Sequence, residues 1–197
     1  MGEIADIFPR RTRVIRNWAM DTTIWDEFAI RDGDIIIATY PKSGTTWMQQ
    51  IVAQLVFNGK SGAPLGELSP WLEFRLEPRR EKLAALAAQA HRRFYKSHSP
   101  SDAIEFSPIA KYVYVARDGR DVVWSMHNMH ASFKAFFYEA INAPPGPYGP
   151  PSQPPVPSVV EYFRTWLAED GLPWWSFWDN VRSWWAVRDL PNVLLVH

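Results

Sequence analysis

Apolar residues along this chain fall into two regimes, short runs and longer stretches with a helical period. Ile35-Ile36-Ile37, Phe94-Tyr95-Lys96, Tyr112 to Ala116 and Val193 to Val196 are the short ones, and each predicts a strand. The first shows no alternation, as expected of a parallel strand covered on both faces. From Thr45 onward Trp47, Met48, Ile51, Val52, Leu55 and Val56 recur at helical spacing, which predicts a helix with one broad buried face. Arg79 to His91 is Ala/Leu-rich and helical, another helix starts at Asp121, and Ser158-Val-Val-Glu161 reads as a capping box opening a helix through Trp166. Trp174, Trp178, Val181 and Trp185, widened by Trp175, Phe177 and Trp184, predict a last helix whose rings pack in the core or in part line an apolar pocket.

Strands alternating with helices imply an α/β fold, with a central parallel sheet between helical layers. In such sheets ligands bind beyond the carboxyl ends of the strands. Asp32-Gly33-Asp34 is a turn launching the first strand, and Asn58-Gly59 ends the first helix. Residues 60–78 are a Pro/Gly-punctuated loop containing Trp71, Leu72 and Phe74. Residues 144–157 hold eight of the 17 prolines and predict a stiff surface loop within a single domain spanning 1–197, either a flap over a pocket or a passive excursion. The N-terminal Arg10, Arg11, Arg13 and Arg16 form either an arm closing on a ligand or a solvated face, with Trp18, Trp25 and Phe28 behind them.

Composition narrows the choice of partners. Net charge is zero, so no global field attracts nucleic acid, and an anionic ligand must be held by a local pocket. The absence of cysteine excludes disulfides and thiolate metal sites and fits a reducing, cytoplasmic setting. No apolar run reaches transmembrane length. His127 and His130 lie three apart on a helix without evident further ligands, so no metal is expected.

The chemistry concentrates after the first strand. Pro41 stops sheet pairing, Gly44 permits backbone geometry closed to other residues, and a helix follows at once. Its first amides and about half a positive charge of dipole favour an anion. Lys42, Ser43, Thr45 and Thr46 add an ammonium and three hydroxyls, which together predict a phosphate or sulfate site. A Walker A loop would place Lys after its glycines, whereas Lys42 precedes Gly44. His98 at the end of the second strand is either a packed histidine or a general base, with Lys96 on the same side of that strand. Arg117 is either a strand-end partner of Asp118 or Asp121 or a planar fork for phosphate.

Thr39-Tyr-Pro-Lys-Ser-Gly-Thr-Thr-Trp47 resembles the 5′-phosphosulfate-binding loop of cytosolic-type sulfotransferases, which use 3′-phosphoadenosine 5′-phosphosulfate (PAPS). Tyr112-Val-Tyr-Val-Ala-Arg-Asp-Gly-Arg-Asp-Val-Val-Trp-Ser125 resembles their 3′-phosphate-binding strand–turn–helix, and Tyr95-Lys-Ser-His98 the segment with their catalytic histidine. The region around Ser69-Pro-Trp71 is similar to bacterial members. The resemblance implies a P-loop-like three-layer α/β/α fold and sulfuryl transfer from PAPS to a hydroxyl of an apolar, aromatic or glycolipid acceptor, leaving adenosine 3′,5′-bisphosphate (PAP). It implies His98 as base, with Lys42 and Lys96 neutralising charge on the transferred group. Lys42, Ser43, Gly44, Thr45 and Thr46 would cradle the phosphosulfate, Trp47 would meet the adenine, and Arg117 and Ser125 the 3′-phosphate. Family members continue beyond the strand at Val193–Val196 with an Arg-Lys-Gly segment and a dimerisation stretch. The C-terminal part of the family fold is therefore expected to be absent here, and a homodimer is expected only of a full-length form. A nucleotide kinase or NTPase, and a PAP-binding module without turnover, are the competing readings.

Overall fold

Ile35–Thr39 (β1) occupies an inner position in a parallel sheet because both of its faces are apolar enough to be covered. The computed structural model describes residues 8–60, 63–143, 151–171 and 174–197. Phe94–Ser97 (β2), Lys111–Val115 (β3) and Val193–Val196 (β4) complete a four-stranded sheet of order β2-β1-β3-β4, every pairing parallel. Ile36 lies in register with Tyr95 and Tyr112, so these three side chains share one face.

That face packs against Ile24, Trp25 and Phe28, against Leu86 of the helix Arg79–Ala88 (α3) and against Trp184 of the helix Phe177–Ala186 (α7). The opposite face, with Ile37 and Phe94, is covered by Met48, Val52 and Ala53 of the helix Thr45–Val56 (α1) and by Leu65 and Leu68 of the short helix Leu65–Leu68 (α2). The expected helix–sheet–helix layering is therefore present. Gly119–Ala131 (α4) and Val159–Ala168 (α6) pack together around Tyr40, Val123, Met126, Tyr162 and Trp166. Ala135–Asn142 (α5) follows α4. Strands and helices recur at the expected places, with α3 ending at Ala88 and α4 starting two residues early, capped by the Asp118 carboxylate on the Arg120 amide at 2.8 Å. The capping box at Ser158 forms, with its Oγ accepting from the Glu161 amide.

The expected buried face of α1 is only half right. Trp47 is 80 % exposed, Leu55 73 % and Ile51 48 %, while Thr45, Gln49, Val52 and Ala53 turn inward. A glutamine is tolerated there because its Nε2 donates to the carbonyl and hydroxyl of Ser69 at 2.7 and 2.9 Å. The tryptophan-rich helix is shifted likewise. Ser176 caps the Asp179 amide, so Phe177, Asn180 and Trp184 turn inward, Phe177 against Tyr40 and Trp166; Trp178 and Trp185 are exposed and Trp174 precedes the helix.

Arg10 and Arg16 are exposed, as a solvated face requires, whereas Arg11 and Arg13 are partly buried in ion pairs. Arg13 bridges Asp102 and Asp179 at 2.5 and 2.6 Å, Arg11 pairs with Asp26, and Arg16 with Asp21 at 3.4 Å. Of the Pro-rich loop, residues 144–150 lie outside the described residues. Residues 151–157 form neither helix nor strand and are fastened where Ser152 exchanges two hydrogen bonds with the Asn142 side chain and the Val156 carbonyl meets His127 Nε2. No described helix is long and apolar enough to cross a membrane.

Candidate active site

The turn from β1 to α1 holds two left-handed residues, Lys42 at φ 67° and Gly44 at φ 105°. For a lysine that conformation costs about 1–3 kcal/mol, which the surroundings must offset. Arg117 contributes by donating from Nη1 to the Lys42 carbonyl at 3.0 Å. Tyr40 anchors the same turn from below, fully buried, with its hydroxyl on the Trp175 carbonyl at 2.8 Å. The amides of the first helical turn have no intrahelical partner, and Gly44 carries no side chain to cap them. They form a cradle for an anion.

His98 sits across from this turn. Its ring is buried and its Nδ1 lies 2.9 Å from the Thr39 carbonyl and 3.1 Å from the Thr39 hydroxyl, which itself lies 2.6 Å from the Thr45 hydroxyl. A carbonyl only accepts, so Nδ1 carries the proton and Nε2 is the basic nitrogen. Nε2 has no hydrogen-bond partner among the described residues. Burial, with the Lys96 ammonium and more weakly Lys42, pulls His98 down to about 3; the Thr39 bond opposes this. Burial also lowers Lys96, whose ammonium lies 5.9 Å from the Trp71 ring centroid.

A cavity of about 390 Å³ brings the pieces together. Its lining includes the cationic and hydroxylic side chains of Lys42, Thr45, Thr46, Lys96, His98 and Arg117. It also includes the rings of Trp18, Trp71, Phe74, Phe133, Trp174 and Trp175. Trp71 meets the His98 ring edge-to-face at 4.7 Å. Gly44 and Trp47 also line the cavity, and the exposed Trp47 indole is free to stack on a planar ligand. Ser43 is buried beneath the loop and Ser125 half-buried on α4; neither reaches the cavity wall. Both readings of Arg117 have a counterpart, since it lines the cavity and also pairs with Asp121 at 3.6 Å.

Sequence reasoning overlooked Thr39 as the orienting partner of His98. It also overlooked Asn180, whose Nδ2 holds the His98 carbonyl at 3.1 Å while its Oδ1 accepts from the Tyr114 hydroxyl. A polar residue at an inward position of the last helix was the available signal. Among the described residues no cluster of His, Asp and Glu could hold a metal ion.

At the carboxyl ends of this parallel sheet an uncapped helix start, a buried imidazole and the cations Lys42, Lys96 and Arg117 line one cavity with aromatic rings, the arrangement of an α/β protein with its site at the strand ends. The chain belongs to the sulfotransferase domain family, whose model matches residues 32–197. It is 34 % identical over 215 residues to a glycolipid sulfotransferase of Mycobacterium tuberculosis, covering 96 % of this chain and 65 % of that protein. It is 32 % identical over 178 residues to human sulfotransferase 2A1, covering 87 % of this chain and 54 % of that one. The chain thus spans between about half and two thirds of the length of these relatives. The fold resembles a mouse sulfotransferase complexed with PAP, with a TM-score of 0.61 at 22 % identity over 89 % of this chain and 55 % of that one. It also resembles retinol dehydratase in complex with retinol and PAP, with a TM-score of 0.63 at 20 % identity over 88 % and 56 %.

Proposed function

We propose that this chain carries the catalytic core of a sulfotransferase that moves a sulfuryl group from PAPS to a hydroxyl of an apolar acceptor. The observation that carries this reading is the bond between His98 Nδ1 and the Thr39 carbonyl, which leaves Nε2 basic beside an uncapped helix start. PAPS supplies an activated sulfuryl group on a phosphate leaving group, and the residues present fit such a ligand. The first amides of α1 and the Thr45 and Thr46 hydroxyls receive its phosphosulfate end. Lys42 and Lys96 neutralise the charge that builds on the departing oxygen and the transferred group. Arg117, with Ser125 nearby on α4, holds the 3′-phosphate, and Trp47 stacks on the adenine. His98 Nε2 takes the acceptor hydroxyl proton as that oxygen attacks in line.

The acceptor follows from the aromatic part of the cavity lining. Rings from Trp18, Trp71, Phe74, Phe133, Trp174 and Trp175 offer a broad apolar surface. That suits a phenol, a sterol-like alcohol or the lipid part of a glycolipid, and the resemblance to a mycobacterial glycolipid sulfotransferase supports the last.

Incubation with PAPS and a panel of phenols, sterols and glycolipid alcohols, read by mass spectrometry, tests the reading. Sulfate ester and PAP should form in equal amounts. His98→Ala should lower the rate by about 10²–10⁴-fold while calorimetry shows PAP still bound. Failure of the unaltered chain to bind PAP would overturn the assignment, and PAP binding without transfer to any acceptor would favour a binding module.

A further inference from the structure

Residues 70–74 run alongside β2, with the Lys96 amide on the Pro70 carbonyl at 3.0 Å and the Leu72 amide on the Lys96 carbonyl at 3.1 Å. Glu73 points from this stretch into the core, where it is 1 % exposed. Its Oε1 accepts from the Trp25 indole at 3.0 Å, the Ser97 hydroxyl at 2.6 Å and the Ser99 hydroxyl at 3.2 Å. Those two serines are the residues on either side of His98. Ser97 Oγ also accepts from the Ser99 amide at 3.1 Å, so carboxyl, hydroxyls and amide close a ring around the His98 backbone.

A carboxyl is a costly way to fill a core position, and Glu73 Oε2 is buried with no hydrogen-bond partner among the described residues. An apolar side chain would avoid that cost but could not tie both hydroxyls. The stretch is gripped a second time by the buried Lys82, whose ammonium donates to the carbonyls of Trp71 and Leu72 at 3.0 Å each and to that of Phe74. Asn180 and Trp184 hold the carbonyls of His98 and Ser99 from the opposite side, each at 3.1 Å.

We propose that Glu73, braced by Lys82, is a positioning residue for His98. It fixes the exit of β2 so that the imidazole keeps its bond to Thr39 and its edge contact with Trp71. Base and aromatic wall then form one unit, and motion of either is transmitted to the other. The inference rests on the proposed role of His98 as the base.

The test compares Glu73→Ala and Glu73→Gln in the 197-residue chain. Nitrogen-15 NMR of the His98 ring reads the tautomer without PAPS, and kcat, acceptor KM and PAP affinity are measured alongside. Glu73→Ala should convert a single Nδ1–H tautomer into a mixture and lower kcat about 10–100-fold, with PAP affinity within about threefold of the unaltered chain. Glu73→Gln, whose amide oxygen can accept the same three bonds, should restore the tautomer and most of kcat. An unchanged tautomer in Glu73→Ala overturns the proposal, as does equal loss of kcat and PAP affinity in both variants. Should Glu73→Ala fail to fold, the double variant Ser97→Ala/Ser99→Ala removes the same bonds, and an unaltered tautomer there is equally fatal. If the unaltered chain transfers no sulfate, the sulfotransferase reading fails while the tautomer measurement still decides the role of Glu73.

Discussion

His98 Nδ1 lies 2.9 Å from the Thr39 carbonyl oxygen, so the last residue of β1 selects the tautomer of a ring delivered by β2. The pairing of Ile37 with Lys96 and Ala38 with Ser97 is what brings the two strand ends level. Register therefore brings the imidazole level with Thr39, and the carbonyl orients it. Burial and the Lys96 ammonium hold the ring neutral down to about pH 3 in the free protein. Titration by NMR should then show no His98 midpoint near the ordinary value of about 6.5. The acid limb of kcat/KM should lack an inflection there as well. Adding PAP brings negative charge beside Lys42 and Lys96 and should move the midpoint upward. A free-protein midpoint near 6.5, unaffected by PAP, would contradict this electrostatic picture.

Arg117 joins the two halves of the proposed nucleotide site, since it lines the cavity and braces the left-handed Lys42 through its carbonyl. Arg117→Lys keeps the charge but loses the planar fork, so one side chain can no longer serve both the carbonyl and a phosphate. PAP affinity should fall about tenfold, equivalent to about 1.4 kcal/mol, as read by calorimetry. Unchanged affinity would remove Arg117 from the site.

The strands and the turn after β1 were legible because each rests on local pattern. Ile35 to Ile37 read as a strand covered on both faces from an apolar run without alternation, and Pro41, Lys42 and Gly44 mark the turn whatever surrounds them. The inward face of α1 was not, since Gln49 is buried only because Ser69, 20 residues on, satisfies its amide. The tryptophans misled for a related reason. Trp178 and Trp185 fit a helical period as well as Phe177 and Trp184 do, and what decides is the buried Asn180, whose partners Tyr114 and His98 lie on β3 and beyond β2. Glu73 sits in a loop without periodicity and Lys82 follows the charged run Arg79-Arg80-Glu81 that opens α3, so nothing local announced that both are buried.

Asp34 and Arg93 form an ion pair at the N-terminal ends of β1 and β2 that is almost wholly buried, with side chains 1 % and 4 % exposed. Arg93 Nε donates to Asp34 Oδ1 at 2.8 Å, and its Nη2 reaches the Ala29 carbonyl at 2.8 Å. Arg93→Met leaves a carboxylate stranded in the core and should cost about 3–5 kcal/mol in urea unfolding. Asp34→Leu combined with Arg93→Met should recover much of that loss. A single-variant cost below about 1 kcal/mol would mean that water reaches the pair.

Gly171 sits at φ 101° just after α6, and a Cβ there would lie 2.1 Å from the Trp175 carbonyl oxygen and 3.0 Å from the Tyr40 hydroxyl. Both backbone and space forbid a side chain, so Gly171→Ala should cost about 3 kcal/mol or more and loosen the Tyr40–Trp175 bond under the turn between β1 and α1. Gly66→Ala is the control, because nothing lies within 4 Å of its added methyl. Equal thermal midpoints for the two variants would show that the segment after α6 relaxes freely.

Stability should fall on mild acidification, and buried histidines set the sign. Burial keeps His98 neutral down to about 3, and the 2 % exposed His130 is pulled by burial to about 4. In the unfolded chain both take up protons near the ordinary value of about 6.5. Below that pH the unfolded state binds more protons, so the stability present at neutrality is lost progressively toward the folded values. Each histidine contributes a slope of about 1.4 kcal/mol per pH unit between the two limits. Glu73 acts in the opposite sense. Burial raises its carboxyl, so above the ordinary carboxylate value the folded state holds a proton that the unfolded state has released, and part of the histidine slope is cancelled. Urea midpoints measured from pH 7 to pH 5 should therefore decline, and Glu73→Gln, which removes the opposing proton, should decline more steeply. Stability that rises across this range, or a Glu73→Gln slope no steeper than that of the unaltered chain, would show that these groups do not control the acid response.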